Sequence, residues 1–326
     1  MKSIAIIAAI LCSACVNPSA KHPNSQAEPT LQPHPDTSYI WTQLLETAPW
    51  KKSYNFQLFS MWDTLWTFHP DGTWWSVNGI NWEKSPLPNA IGNLAFLDYV
   101  LFKNHLYGLG NLEGNIEQNR FLPEIYMARD GKSWDTLSKK STLPARFFYH
   151  PFVFDHKIWI IGGEDKEGQY SDIWNSKEGI NWIKIKDNLP FGKRSGSQVV
   201  YLNDSLYLLD NEVWRSKDGV NWEKISDEIV KGEKIFGYSA VVFDQHIWLI
   251  GCNRNGQFTS QVLYSPDGVL WKSQQAPWLP RGGVAVVTHR NKILMTGGKY
   301  GGTPNHPEFR YDNDVWVMEI TSRHAN

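Results

Sequence analysis

Three arginines recur at one spacing: Arg146, Arg194 and Arg281 each lie thirteen residues before an aromatic or Leu residue in a short apolar run, at Trp159, Tyr207 and Leu294. Each closes a Pro-containing segment, LPAR (143–146), LPFGKR (189–194) or WLPR (278–281). Guanidinium groups converging from such a register would suit a carboxylate or another planar acceptor through charge-assisted bidentate hydrogen bonds. The competing role is structural, with each Arg paired to a loop acid as a tie. The same count from Tyr107, Trp248 and Trp66 reaches Leu94, Ile235 and Ser53, so the charge is confined to three units. Four residues further on, the register passes through His150, Gln198, Ala285, Ser239, Asp98 and Gln57. A mostly polar set at one position of a packed strand reads as the lining of a wet channel. His150 and Asp98 are its ionisable members and could act as a general acid/base pair if their units meet. Ordered water between them is the plainer alternative.

The elements that would position these residues repeat along the chain. The segments WNSKEGINW (174–182), WRSKDGVNW (214–222) and YMARDGKSW (126–134) share one pattern, with WSVNGINW (75–82) and YSPDGVLW (264–271) close to it. A sixth copy, DVWVMEI (314–320), stops before its Gly. Anchored on Trp74, Tyr126, Trp174, Trp214, Leu263 and Trp316, the spacings are 52, 48, 40, 49 and 53 residues. Apolar runs such as IWIIGG (158–163), LYLLD (206–210) and IWLIG (247–251) keep step, each preceded by another strand-like run. The joining segments (DHK, ND, DQH, HRNK) have turn composition, and the D-G and N-G pairs mark a second tight hairpin. Four short strands per unit at this period predict an all-β chain, a six-bladed β-propeller of four-stranded antiparallel blades. The last copy lacks a fourth strand, and YIWTQLLETAPW (39–50) matches that missing piece. Trp41 would then join Trp82, Trp134, Trp182, Trp222 and Trp271, and the N-terminal strand would complete the last blade and close the ring non-covalently.

The Gly162–Gly163 and Gly297–Gly298 strand ends, followed by an acid just before an aromatic (Asp172–Trp174, Asp314–Trp316), resemble a kelch repeat of the galactose oxidase central-domain type. Ser216–Trp222 and Ser265–Trp271 resemble a sialidase Asp-box one residue short. The resemblance spans residues 40–320 and departs from pattern at Asp210–Asn211 and Gly251–Cys252. It implies a loop-bearing face and inner strands around a central channel. Kelch-like propellers serve as oxidases, sugar epimerases and pure binding modules, so the fold leaves function open.

Other chemistry is sparse. The inserts at 111–124, 164–172, 253–261 and 299–314 contain Arg120, Tyr170, Arg254, Tyr300, His306 and Arg310, a composition suited to polar ligands. They hold no metal cluster, phosphate loop or nucleophile elbow, so no metal or cofactor is expected. Trp50, Trp62, Trp75 and Trp278 fall outside the repeat register and are the candidates for stacking on a sugar or peptide. Asp130, Asp218 and Asp267 read as turn residues. Without residues 1–14 the chain has 31 basic and 33 acidic side chains and no basic run, which argues against nucleic acid.

The N-terminus reads as an export signal. MKS (1–3), the apolar IAIIAAIL (4–11) and the small residues of CSAC (12–15) form a secretory signal too short to span a membrane. Its end resembles a bacterial lipobox with Cys15 as the lipidated residue, although Cys12 stands where Leu is usual. Ordinary cleavage near Ala14 or Ala20 is the alternative. Residues 15–39 would be the lipidated Cys and a flexible tether, 40–320 the propeller and 321–326 a tail. Val16 in place of Asp implies outer-membrane sorting, with a periplasmic or secreted protein as the alternative. Cys252 would then be the sole thiol, a small buried residue, so closure would rest on packing and not on a disulfide. The sequence thus predicts a membrane-tethered, monomeric binding module for a glycan, peptide or protein, with Arg146, Arg194, Arg281, His150, Asp98 and Gln198 at its site and no catalytic residue assigned. The rival is a carbohydrate-active enzyme such as a sugar epimerase or mutarotase. Oxidase and sialidase chemistry lack their residue sets.

Overall fold

The computed structural model describes residues 37–322 except 55, 70, 86–97, 114–119 and 304–305; the signal, Cys15, the tether up to residue 36, Leu94 and the tail from residue 323 lie outside the described residues. The described part is all-β. After β1 (Thr37–Leu45), the chain lays down consecutive antiparallel meanders of four strands. The first sheet is β2 (Gln57–Met61), β3 (Thr64–His69), β4 (Gly72–Ser76) and β5 (Glu83–Lys84). The second is β6 (Asp98–Phe102), β7 (His105–Glu113), β8 (Arg120–Ala128) and β9 (Trp134–Ser138). The third begins with β10 (Phe152–Phe154) and β11 (Lys157–Ile161), detours through a ribbon of β12 (Glu164–Asp165) and β13 (Gly168–Gln169), and ends with β14 (Ile173–Ser176) and β15 (Ile183–Lys186). The fourth is β16 (Gln198–Leu202), β17 (Ser205–Leu209), β18 (Val213–Ser216) and β19 (Glu223–Ser226).

In the fifth unit β20 (Ile235–Phe236) precedes β21 (Ser239–Phe243) and β22 (His246–Ile250). Next come β23 (Asn253–Arg254) and β24 (Gln257–Phe258), which join β20 in a small sheet of their own, and then β25 (Gln261–Ser265) and β26 (Lys272–Gln275). The last unit is β27 (Ala285–His289), β28 (Lys292–Thr296), the ribbon β29 (Lys299–Tyr300) and β30 (Arg310–Tyr311), and β31 (Val315–Ser322). Its fourth strand is β1, antiparallel to β31, with Trp41 opposite Met318.

The hairpin turns fix the register. Between first and second strands, Trp62–Asp63, Lys103–Asn104, Asp155–His156, Asn203–Asp204, Asp244–Gln245 and Arg290–Asn291 all have φ between 45° and 62°. Two consecutive left-handed residues define the type I′ turn that matches strand twist. Because all six turns have the same length, Gln57, Asp98, Gln198, Ser239 and Ala285 face Phe68, Leu109, Leu209, Ile250 and Thr296 at equivalent positions. His150 falls at the same register just before β10.

Apolar side chains pack between consecutive sheets. Val200, Tyr207 and Val213 of the fourth sheet meet Ala240, Ile247 and Leu263 of the fifth. Leu58, Leu65 and Trp74 of the first meet Leu294, Val315 and Val317 of the last. Burying such surfaces is the main favourable term in folding. The repeated Gly has its reason here. A Cβ on Gly131 would lie 2.9 Å from the Trp66 ring of the preceding sheet, and one on Gly268 would lie 3.0 Å from Tyr207. Gly79 stands in the same way on Leu294. The last unit has no such Gly, and Tyr39 of β1 covers Trp248 instead, ring centroids 4.7 Å apart.

First strands lie against one another, β2 on β27, β27 on β21, β21 on β16 and β6 on β10. The inserts after the second strands fold back on the segments that enter the first strands: Glu164 bridges Phe147, Tyr170 bridges Arg194, and Lys299 bridges Gly282. Inserts and first-strand entries therefore share one face.

Candidate functional site

The three arginines sit on that face, buried and paired with acids of their own sheets, with the Nε of Arg194 left without a partner among the described residues. Arg146 holds Asp172 in a fork, Nη1 to Oδ1 at 2.7 Å and Nη2 to Oδ2 at 3.0 Å, and also donates to the Gly162 carbonyl at 2.8 Å. Arg281 grips Asp314 in the same way, its second bond also 3.0 Å. Arg194 donates to Glu212 at 2.8 Å and to the Phe191 carbonyl, with Asp210 at 3.4 Å. The acid stands two residues before the third-strand Trp, whose indole N–H donates to it: Trp174 to Asp172 at 2.8 Å, Trp214 to Glu212 at 2.7 Å, Trp316 to Asp314 at 2.8 Å. Lys184 and Lys224 cap Trp174 and Trp214 from the other side, 5.2 and 5.3 Å from the ring centres. Burial works against the Asp172 charge, but the Arg146 and Trp174 hydrogen bonds outweigh it and hold the carboxyl below its usual range. These are ties within one sheet, and their geometry favours the structural role over ligand capture. The signal was present in the sequence: the units with Arg at this register also carry Asp or Glu before the Trp.

The polar register four residues on divides in two. Gln198 spans to the next sheet, its amide donating to the Tyr238 carbonyl and accepting from Ala240 N–H at 2.8 Å. Ser239 Oγ donates to the Val284 carbonyl at 2.6 Å. Ala285 is fully buried and apolar. The other three are nine-tenths buried or more, and less well met. Gln57 Oε1 and His150 Nε2 have no hydrogen-bond partner among the described residues. No hydrogen bond or ion pair joins Asp98 to a described group. Burial pushes the Asp98 carboxyl well above its usual range and also raises Tyr149, whose hydroxyl feels the Asp98 charge. Burial likewise lowers His150 to about 4, against a hydrogen bond with the Val199 backbone, so its imidazole is neutral at pH 7. Asp98 and His150 are not joined directly.

Two expectations about aromatic and sulfur groups need correction or gain detail. Trp50 and Trp278 cannot stack on a ligand: they are 2% and 3% exposed, the first edge-on to Trp82 and the second edge-on to Trp41. Indole is the largest apolar side chain, and both fill inter-sheet space that the repeat register does not mark. Trp62 and Trp75 remain partly exposed, flanking Trp66. Cys252 is fully buried, and burial pushes its thiol up to about 12, far from a nucleophile. Asp218 serves its turn, accepting from Val220 and Asn221 N–H at 2.8 Å each. Despite an opposing burial effect, those amides hold it at about 2.

The inserts add clefts on the same face. One, with a volume of about 280 Å³, runs along Tyr170, Trp174, Lys184 and Lys193. A smaller one, about 90 Å³, lies among Phe258, Tyr300, Thr303 and His306. Among the described residues no three His, Cys, Asp or Glu side chains come together as a metal site.

The fold and face define a class before any particular relative. A family model described as "DUF6242 beta propeller domain" matches residues 175–322. A solved structure titled "Structure of YjhT" aligns with a TM-score of 0.67 at 12% identity, covering 85% of this chain and 99% of that one. Identity this low carries the fold and nothing of the chemistry. No curated protein matches. The chain is a β-propeller.

Proposed function

We propose that this chain is a six-bladed, kelch-type propeller that binds a glycan, peptide or protein through its loop-bearing face, held at the bacterial outer membrane by a lipid on Cys15. The observation that carries the binding reading is the run of buried polar side chains Gln57, Asp98 and His150, at the first-strand entries beneath that face, in which Gln57 Oε1 and His150 Nε2 have no hydrogen-bond partner among the described residues. Buried polar groups are ordinarily matched, so these two atoms favour water or a ligand as the missing partner. A glycan and peptide array probed with the full-length protein tests this. The expected result is capture of a defined ligand class that Asp98→Leu weakens; no capture of any class would remove the reading.

Ring closure rests on the β1–β31 pairing, on the first-to-last sheet core and on Tyr39 over Trp248. Deleting residues 37–45 would open the β31 edge and uncover Trp278, so a loss of several kcal/mol or aggregation is expected. A deletion variant that melts like the parent would contradict closure. Anchoring predicts that Cys15→Ser moves the protein from the membrane to the soluble envelope fraction, and an unlipidated parent by mass spectrometry would contradict it. The enzyme reading draws on one feature, a carboxyl raised and an imidazole lowered at equivalent positions of neighbouring sheets. It requires that His150→Ala abolish turnover of some free sugar without abolishing its binding.

A further inference from the structure

The loop of the last unit contains a cation with no ion pair among the described residues. Lys299 is 8% exposed, and its ammonium lies 4.5 Å from the Tyr54 ring centre and 5.2 Å from that of Phe309. Tyr54 stacks on Tyr311 at 5.6 Å and Tyr311 on Phe309 at 6.0 Å, so three nearly parallel rings form a column beside the amine. The strand partner of Lys299 is Tyr311, and its bridge to Gly282 pins the backbone.

The acids of this loop are engaged elsewhere. Asp314 is held by Arg281, and Asp312 lies 3.5 Å from Arg281 and 3.3 Å from Arg310. Glu308 is exposed and forms no ion pair among the described residues. Burial lowers the Lys299 pKa, the response of an ammonium that water and carboxylates do not fully reach. The equivalent residue of the third unit shows the contrast. Glu164, bridged to Phe147 as Lys299 is to Gly282, has its charge met by Ser195 Oγ at 2.7 Å and Gln169 at 3.3 Å. Ring faces partly compensate an ammonium but do not replace a counter-ion.

We infer that Lys299 receives a single oxyanion, a carboxylate or a sulfate ester, on a sugar ligand whose ring lies against the Tyr54–Tyr311–Phe309 column. The inference rests on the binding reading above and gives its ligand a charge and a place. Phe309 is half exposed, leaving the column's end open to a sugar face, and the amine supplies the charge-assisted bond that orients it.

The test titrates glucuronate, glucose 6-sulfate and glucose into the full-length protein and into Lys299→Met, which keeps the stem and removes the charge. Glucuronate or the sulfate should bind more tightly than glucose, and Lys299→Met should erase that preference with roughly a tenfold or larger loss while melting stays unchanged. Which of the two charged sugars binds more tightly identifies the oxyanion. Equal affinity of wild type for charged and neutral sugars, or a preference that survives in Lys299→Met, overturns the inference. If none of the three binds wild type, the inference fails, and the array decides separately whether the binding reading falls with it. A melting drop in Lys299→Met is separated by Lys299→Arg, which must restore the preference.

Discussion

Three first-strand entries of this propeller close on themselves and three do not. At Gln198, Ser239 and Ala285 the register is sealed by bonds to the next sheet or by an apolar side chain. At Gln57 and His150 the same register buries an Oε1 and an Nε2 that no described residue answers, and Asp98 between them is a buried carboxyl. Strand register is the same at Gln57, Asp98, Gln198, Ser239 and Ala285, so among these the difference lies in side-chain chemistry. A buried hydrogen-bonding group without a partner costs about 1–3 kcal/mol. At this register the unanswered atoms fall at Gln57 and His150, under the insert-bearing face, where the proposed site is placed. The arginine belt behaves like the sealed half: charge is present, and it is consumed internally.

The belt gives the largest expected effect. Arg281→Ala or Arg146→Ala leaves a mostly buried carboxylate unpaired and should lower stability by about 3–5 kcal/mol, measured by denaturant unfolding. Arg194→Ala should cost less, because Asp210 and Glu212 are more exposed. A small loss for Arg281→Ala, with ligand affinity reduced instead, would move the arginines to the open half.

Acid should separate the halves next. His150 is lowered to about 4 in the fold and titrates near 6.5 when unfolded, so the unfolded chain takes up the proton first. Its contribution is intact above about pH 6.5 and is lost as pH falls to about 4, on the order of 3 kcal/mol. His150→Gln, which installs the side chain found at the equivalent Gln198, should flatten that slope relative to wild type. Asp98, raised by burial, contributes with the opposite sign in both proteins and cancels from the difference. Parallel pH profiles of the two proteins would contradict a buried neutral imidazole.

A matched pair of substitutions gives the smallest and sharpest contrast. Gln198→Leu strands the Ala240 N–H and the Tyr238 carbonyl and should cost about 1–3 kcal/mol. Gln57→Leu removes an unanswered oxygen and should be neutral within about 0.5 kcal/mol or stabilising. Equal losses at both sites would erase the distinction.

Much of this was legible in the sequence because repetition constrains it. The Gly of each motif packs on a large side chain of the preceding unit, aromatic at Gly131, Gly179 and Gly268, so both recur, and the missing fourth strand of the last copy pointed to the N-terminal strand that pairs there. Uniform two-residue turns made the counting register physically meaningful, which is why Gln57, Asp98 and Gln198 fall at equivalent positions. What the sequence left open is satisfaction. Arg146 and Asp172 are 26 residues apart, and their fork depends on two strands meeting. Trp50 and Trp278 stand outside the repeat, and their burial follows from inter-sheet space that no periodicity records. Lys299 carries no motif, and its lack of a counter-ion among the described residues is visible only once Asp312 and Asp314 are seen engaged by the arginines.

The most direct test of this two-sided reading measures ligand affinity and melting temperature together in Asp98→Leu and Gln198→Leu, using the ligand that the array captures. Asp98→Leu should weaken binding by about tenfold or more with melting unchanged or raised, and Gln198→Leu should lower melting with affinity of the folded protein intact. The reverse pattern, affinity lost at Gln198 and stability lost at Asp98, would contradict the assignment of the open half as the binding half.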